Sequence, residues 1–277
     1  MPDARAIVFL TDFGSGDEWV GMCHAVMARI APDVRVVDLS HFVRPLDVSS
    51  GARLLSDALR FVPDEAILLA VVDPTVGMVR DIAVEASDGR LLVGPDNGLL
   101  SPAWRDSGGV ARAVEITSHE VVILPIAPSL HARDVLCPAA AHLAAGMPLE
   151  RLGRAVDRDQ LVEISVARPE IQTGILRCEV IDYNRFGNVQ LNVRIPDMTL
   201  AGLGTAPHVE IEWPAGSVQA RRGRTYADFE PGEYGLIFDP RGWLTIVRGN
   251  PGNALEDLKL SVGDVVEIRQ EGDSPTA

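Results

Sequence analysis

Ile7-Val8-Phe9-Leu10-Thr11-Asp12-Phe13-Gly14 reads as a buried strand that runs straight into a polar loop. The same texture recurs where Leu68 to Val72 meets Asp73-Pro74-Thr75-Val76-Gly77, and where Val121 to Ile126 precedes His131-Ala132-Arg133-Asp134. In an open α/β sheet, ligands bind in the loops beyond the carboxyl ends of the strands. The pattern therefore predicts Asp12, Asp73 and His131 on one working edge, the arrangement of an enzyme.

Outward from that stretch, the first half of the chain alternates strands with helical patterns. Glu18 to Ile30 is amphipathic, Val34 to Leu39 is strand-like, and Ser49 to Phe61 carries Ala52, Leu54, Leu55, Ala58 and Leu59 at helical spacing. Strands are expected at Ile67 to Val72, Ile82 to Glu85 and Leu91 to Val93, with a short Ala-rich helix at Pro138 to Ala145. This is βαβ texture. Beyond Arg168-Pro169 it changes to short alternating runs separated by Gly, Pro, Asp and Asn: Gly174 to Val180, Val189 to Val193, His208 to Trp213, Tyr234 to Phe238, Leu244 to Val247 and Val265 to Arg269. The expected fold class is α/β, with an N-terminal α/β sandwich-like domain over residues 1–168 and a smaller C-terminal β-barrel-like domain over residues 169–277. The linker falls near Val166 to Gln172, and the polar tail from Gln270 to Ala277 is expected to be mobile.

Composition narrows the partners. With 277 residues and 47% hydrophobic content the chain can bury a full core. A net charge of -14 argues against nucleic acid, which is bound through clustered Lys and Arg. A small cationic or neutral molecule is a better fit. Cys23, Cys137 and Cys178 have neither CxxC spacing nor an even count, so they read as buried thiols in a reducing compartment. No apolar run approaches the roughly 20 residues of a membrane helix, and Met1-Pro2-Asp3-Ala4-Arg5 has no signal-type character. A cytoplasmic protein that engages no membrane is expected.

Each candidate residue has a plainer reading. Asp12 and Asp17 suit the N-terminus of the helix entered at Glu18, where carboxylates are favoured as caps. Asp73-Pro74 and Gly94-Pro95-Asp96-Asn97-Gly98 suit turns, Arg80 a surface position, and His131 a structural histidine. Neither GxGxxG after the first strand nor GxxxxGK[ST] is present, so nucleotide phosphates are not the indicated ligand. No metal is expected: the histidines lack HxxxH or HxH spacing, and His131 has no carboxylate cluster beyond Asp134.

Taken together and in order, the motifs carry more than any one of them. Thr11-Asp12-Phe13-Gly14 with Asp17 and Gly21, Val71-Val72-Asp73-Pro74-Thr75-Val76-Gly77 with Arg80, Gly94-Pro95-Asp96-Asn97-Gly98, His131-Ala132-Arg133-Asp134 with Pro138-Ala139-Ala140-Ala141-His142, Arg185-Phe186-Gly187-Asn188 with Asn192, and Gly252-Asn253-Ala254 closely resemble the S-adenosylmethionine hydroxide adenosyltransferase family. That family is related to the bacterial fluorinases and chlorinases. The resemblance implies an α/β domain followed by a β-rich one, and a homotrimer whose sites lie between the N-terminal domain of one subunit and the C-terminal domain of its neighbour. It also implies a reaction in which water attacks the ribose 5′ carbon of S-adenosyl-L-methionine, giving adenosine and L-methionine, with that molecule as substrate and no cofactor.

The family's catalytic Asp, Arg and His match Asp73, Arg80 and His131, implied to orient the water, relay its proton and set the local charge. Asp12 matches the carboxylate on the ribose hydroxyls and Asp17 a position near the methionine ammonium. Phe186 and Asn188 match the adenine side, Asn253 and Ala254 the backbone closing that pocket, and Arg241 a residue near the methionine carboxylate. The chain departs from the family pattern at Asn184, where Asp is usual, at Asp239-Pro240-Arg241-Gly242, where Asn-Ser often occurs, and at Ala132 and Thr75, where Gly is commoner. Asp182 and Asp239 are candidates for the missing carboxylate. Fluorinases have Tyr in place of both Asp73 and His131, so hydroxide chemistry is favoured; a halogenase and a non-catalytic binder of the same ligand are the alternative readings.

Overall fold

The computed structural model describes residues 5–73 and 75–270. Pro74 and the tail beyond Gln270 lie outside the described residues. The chain divides into two compact units between Val166 and Ala167.

In the first unit the elements are β1 (Ile7–Thr11), α1 (Trp19–Ile30), β2 (Val36–Ser40), α2 (Val48–Ala58), β3 (Ile67–Val71), β4 (Asp81–Ala86), β5 (Leu91–Pro95), α3 (Ser101–Asp106), β6 (Val110–Ile116), α4 (Cys137–Ala144) and β7 (Gly153–Ala155). They build a seven-stranded sheet in the order β2-β1-β3-β5-β4-β6-β7. Strands β2, β1, β3 and β5 are parallel, whereas β4 runs against both of its neighbours. Both faces are covered, which is why the central strands read as continuous apolar runs. Ile7 and Phe9 pack with Cys23 and Met27 of α1 and Ala139 to Ala141 of α4; Val8 and Leu10 pack with Ala52 and Leu55 of α2 and Trp104 of α3. Burying each such Ile, Leu or Phe contributes roughly 1.5–3 kcal/mol.

Because β1 lies between β2 and β3, the connection through α1 leaves it on one side and the connection through α2 arrives on the other. The two helices cover opposite faces, and a crevice opens outside the carboxyl ends of β1 and β3. Thr11 pairs with Val71 in register, so the loops bearing Asp12 and Asp73 emerge from adjacent strand ends. The helix α2 is started by Asp47, whose side chain accepts from the Ser50 amide at 2.8 Å. Burial would push the Asp47 carboxyl up, but this bond and Arg44 outweigh it and hold it low.

One expected strand is absent. Val121 to Ile126 is a loop, whose Ile123 amide donates to the Asp134 carbonyl and whose Ala127 amide donates to the Asp134 side chain at 2.8 Å. Pro125 has no amide to offer a ladder, and buried Val121 plugs the core from outside the sheet. Conversely β6 is masked in the sequence by Arg112 at an exposed position and Glu115 at a half-buried one, and α3 by its brevity.

The second unit contains β8 (Glu170–Gln172), β9 (Ile175–Tyr183), β10 (Val189–Leu191), α5 (Ile195–Leu200), β11 (His208–Trp213), β12 (Gly216–Arg222), β13 (Tyr234–Phe238), β14 (Leu244–Arg248), α6 (Ala254–Leu258) and β15 (Val265–Gln270). The order β10-β14-β13-β12-β11-β15-β9 closes on itself because β9 also pairs with β10, giving a barrel with β8 as an appendage on β9. Period-two alternation fills it: Val209, Ile211, Val266 and Ile268 point inward while Glu210, Glu212 and Glu267 stay toward solvent. The strand β12 had no clear sequence signal, since Gly216, Gln219, Arg221 and Arg222 mask it.

Gly94 of β5 sits hard against β3: a Cβ there would lie 2.5 Å from the Ala70 carbonyl oxygen. Gly94→Ala is therefore expected to destabilise the protein by about 1–3 kcal/mol, the usual cost of overpacking a tight core. An unchanged midpoint in urea denaturation would show that the sheet opens there at no cost.

Candidate active site

Asp12 follows directly on β1, and its Oδ2 accepts the Leu46 amide at 2.8 Å. Burial raises the affinity of this carboxyl for its proton, the Leu46 bond opposes that, and the charge of Asp73 raises it further. Neither Asp12 nor Asp17 caps α1. The residue preceding that helix is Glu18, which makes no side-chain cap, and Asp17 is exposed on the loop before it.

Asp73 is fixed by its own loop: Oδ1 accepts from the Thr75 amide at 2.8 Å and the Thr75 hydroxyl at 2.9 Å. The Thr at position 75 thus supplies a second clamp that Gly could not. Among the described residues Oδ2 has no hydrogen-bond donor and remains available to a ligand. Gly77 closes the loop at φ +76°, and a Cβ on it would lie 3.2 Å from the Pro128 carbonyl and 3.7 Å from His131 Nε2. His131 Nε2 therefore faces this loop.

His131 immediately precedes a π-helical turn, Ala132–Leu136, that runs into α4. Its Nδ1 lies 2.7 Å from Asp81 Oδ2, with both side chains largely buried. An ionised carboxylate only accepts, so the ring proton belongs on Nδ1 and the lone pair on Nε2. Asp81 opens β4 opposite Pro95, which places it on the same sheet edge as Asp12 and Asp73. Burial raises its pKa, His131 lowers it, and Asp73 and Glu115 raise it again. Asp12, Asp73, Asp81 and His131 thus form one electrostatic group. Asp81 was missed in the sequence, although a carboxylate opening the apolar run Ile82-Ala83-Val84 needs a buried partner.

Arg80 is directed elsewhere. Its Nη2 lies 2.5 Å from Asp96 Oδ2 and 2.6 Å from the Gln160 carbonyl, while Asp96 Oδ1 accepts the Val162 amide at 2.9 Å. The guanidinium therefore ties the Gly94 to Gly98 turn to the segment at 160–162, and neither Asp73 nor His131 is its ion-pair partner.

The second unit brings Asn184, Phe186 and Asn188 onto one loop and Asn253 and Ala254 onto a second that touches it, while Arg241 and Asp239 lie between β13 and β14. Asn184 Oδ1 accepts from the Phe186 and Asn188 amides at 2.9 and 3.2 Å, forming the turn between β9 and β10. That use is open to Asn as well as to Asp. Gly187, at φ +75°, leaves no room for a Cβ beside the Asn253 side chain, and its carbonyl accepts the Leu255 amide at 2.9 Å. Asn253 caps α6 by accepting from the Glu256 amide at 3.2 Å, and Ala254 is buried beneath. Phe186 is 63% exposed, with the Arg185 guanidinium carbon 4.8 Å from its ring centroid. Asn188 is buried, and its Nδ2 donates to the Tyr226 hydroxyl at 3.4 Å. Tyr226 is a second residue that the sequence reading missed; the only signal was the Thr225/Asp228 capping box that positions it. Arg241 Nη2 donates to Gln190 Oε1 at 2.5 Å and its Nε approaches Asp239 Oδ2 at 3.4 Å. Asp239 also accepts the Arg241 and Trp243 amides, both at 2.9 Å, and so holds its own loop together. Asp182 accepts the Tyr183 amide at 2.8 Å.

The description SAM hydroxide adenosyltransferase N-terminal domain matches residues 7–153, and its C-terminal counterpart matches residues 178–267. The chain belongs to the SAM hydroxide adenosyltransferase family. It is 43% identical over 270 residues to the (R)-S-adenosyl-L-methionine hydrolase of Thermus thermophilus, covering 95% of this chain and 99% of that one. The Salinispora tropica protein of the same name is 39% identical over 263 residues, covering 95% and 97%. A fluorinase from Nocardia brasiliensis is more distant, at 28% over 295 residues and 95% and 96% coverage. Among solved structures, an uncharacterized conserved protein from Thermotoga maritima superposes with a TM-score of 0.87 at 30% identity, covering 95% of this chain and 99% of that one.

Asp81→Asn tests the histidine arrangement. With the carboxylate gone, nitrogen-15 NMR of His131 is expected to show loss of the fixed Nδ1–H tautomer, and turnover is expected to fall about 10²–10⁴-fold. An unchanged tautomer and rate would detach Asp81 from the site.

Proposed function

We propose that the protein hydrolyses S-adenosyl-L-methionine to adenosine and L-methionine, with His131, held by Asp81, as the general base. The observation that carries this reading is the 2.7 Å His131–Asp81 contact with Nε2 turned toward the Asp73 loop. Water, positioned by Asp73 and His131, attacks the 5′ carbon; the carbon–sulfur electron pair passes to sulfur, which leaves as a neutral thioether. The water proton goes to Nε2, and Asp81 stabilises the imidazolium that results. The leaving group needs no acid, so catalysis lies in positioning and proton removal.

The carboxylates of Asp12, Asp73 and Asp81 favour a cationic sulfonium and oppose a halide or a preformed hydroxide. With Arg80 committed to Asp96, water deprotonated during attack fits the local charge better than a stabilised hydroxide, and hydrolysis fits better than halogenation. Asp12 is assigned to the ribose diol, Phe186 to the adenine face, Asn188 to its edge, and the Asn253-Ala254 backbone to closing that pocket. Asp17 is left free for the methionine ammonium; Arg241 would reach the methionine carboxylate from its Gln190–Asp239 anchorage. No cofactor is required by this scheme. Since the L descriptor fixes the amino-acid carbon, the R in the relatives' name belongs to the sulfonium centre, and that epimer is assigned as substrate. Among the described residues no helix is long and apolar enough to cross a membrane, and the three free, buried cysteines fit a reducing cytoplasm.

In heavy-oxygen water, the R epimer is expected to give adenosine labelled at the 5′ hydroxyl, and the S epimer little product. Unlabelled adenosine, or S-adenosylhomocysteine, would overturn the mechanism.

The active assembly is assigned as a homotrimer in which residues of the first unit of one subunit meet the adenine-facing residues of its neighbour's second unit. Mixing His131→Ala with Asn188→Ala protein after reversible dissociation is then expected to restore activity, because some interfaces carry both wild-type halves. No recovery in mixed oligomers verified by native mass spectrometry would exclude a shared site.

A further inference from the structure

Three side chains that sequence spacing does not connect meet at one edge of the first unit: His24 on α1, Asp38 in β2, and His41 just after that strand. His24 Nε2 lies 2.9 Å and His41 Nε2 3.0 Å from the same oxygen, Asp38 Oδ1. Their donor atoms all fall within 4.8 Å of one another. The His24 bond is well directed, but His41 Nε2, although 3.0 Å from Asp38 Oδ1, makes no hydrogen bond to it and is a buried nitrogen without a hydrogen-bond partner among the described residues. That is an expensive state for a ring nitrogen. On its other side, His41 Nδ1 lies 2.8 Å from the hydroxyl of fully buried Thr11. A donated Nδ1–H there leaves the Nε2 lone pair directed at the cluster, the arrangement that metal-binding histidines adopt through an outer partner.

We propose that His24, Asp38 and His41 form a binding site for a divalent first-row transition ion such as zinc. Two imidazoles and one carboxylate exclude magnesium and calcium, which prefer all-oxygen shells, and match the borderline softness of zinc, cobalt or nickel. Donors at about 2.0–2.1 Å from a tetrahedral ion stand about 3.3 Å apart, so the two spacings to Asp38 of 2.9 and 3.0 Å need open by only a few tenths of an ångström, and the two imidazole nitrogens, within 4.8 Å of each other, would settle to that separation. Asp38 is 45% and His24 34% exposed, which gives the ion an entry path and leaves a coordination position to water. The ring of Phe9 stands edge-on to both imidazoles, at 6.1 and 5.0 Å, and restricts their rotation.

The site is coupled to the loop that carries Asp12. The His41 carbonyl accepts the Gly14 amide at 2.6 Å, the Thr11 carbonyl accepts the Val43 amide at 3.3 Å, and Leu46 donates to Asp12. An ion on His41 would join α1 to this segment and hold the Asp12 loop against β2. The inference concerns binding and local order and does not depend on which reaction the protein catalyses.

The test uses tag-free, metal-stripped full-length protein titrated with cobalt and with zinc. One ion per chain is expected, with the visible absorption of low-symmetry cobalt(II), a raised melting temperature, and slower hydrogen exchange at the Gly14, Val43 and Leu46 amides. His24→Gln and Asp38→Asn, both at partly exposed positions, are expected to abolish the absorption and the thermal shift while melting as the metal-free wild type does. Thr11→Val should weaken binding about 10–100-fold, the usual effect of losing an outer partner. Binding that survives both ligand substitutions, or no saturable binding by folded wild-type protein, would overturn the proposal and leave two histidines that merely share a carboxylate.

Discussion

The parallel, in-register pairing of β1 with β3 is the constraint on which the candidate site depends. It brings Thr11 level with Val71, so two loops that leave the sheet in different directions start from neighbouring points. The other candidate residues of the first unit are then added around them. The antiparallel β4 returns Asp81 to the same edge, and the turn leading into α4 lowers His131 onto it. A slip of one residue between β1 and β3 would exchange the two apolar faces of each strand, and packing on both sides forbids it.

The sequence made the apolar part of this legible and much of the polar part illegible, for one reason. Buried strands such as β1 and β3 announce themselves because both faces are apolar, and β11 because its alternation is regular. Residues whose partners lie far along the chain carry no such local trace. Arg80 joins Asp73 only through the family resemblance and taken alone reads as a surface residue; in the structure its guanidinium is held by Asp96 and the Gln160 carbonyl. Asp81 was overlooked because its partner His131 stands fifty residues away. The apolar run at Val121 to Ile126 was misread because hydrophobicity identifies burial, while strand formation also needs a free sheet edge and amides to offer it.

Charge is distributed unevenly between the two tasks a hydrolytic site must perform. In the proposed scheme the carboxylates around His131 would favour a cationic substrate, and Asp81 would stand beside the imidazolium that proton removal from water forms. Neither effect is available from Arg80 in its present pairing. A scheme in which the base is a histidine supported from behind, rather than an arginine-stabilised anion, follows from that geometry. At the residues assigned to adenine, Phe186, Asn188 and the Asn253-Ala254 backbone, the second unit carries no formal charge; it offers an exposed aromatic ring, an amide and backbone, the recognition chemistry of a neutral heterocycle.

The closure of the barrel carries a consequence for how the protein is made. Besides the β9–β10 pairing that closes the ring, β9, at 175–183, must pair with β15, at 265–270, a contact that spans some of the longest sequence separations in the second unit. Contacts of that kind slow folding, because chain entropy must be given up before they form. During synthesis the first unit can complete its sheet while the ribosome is still translating the barrel, whereas β9 must wait with an unpaired edge until β15 has emerged. Of the two units, the barrel is the one exposed to aggregation during synthesis, and any chaperone dependence should track the release of the last strand.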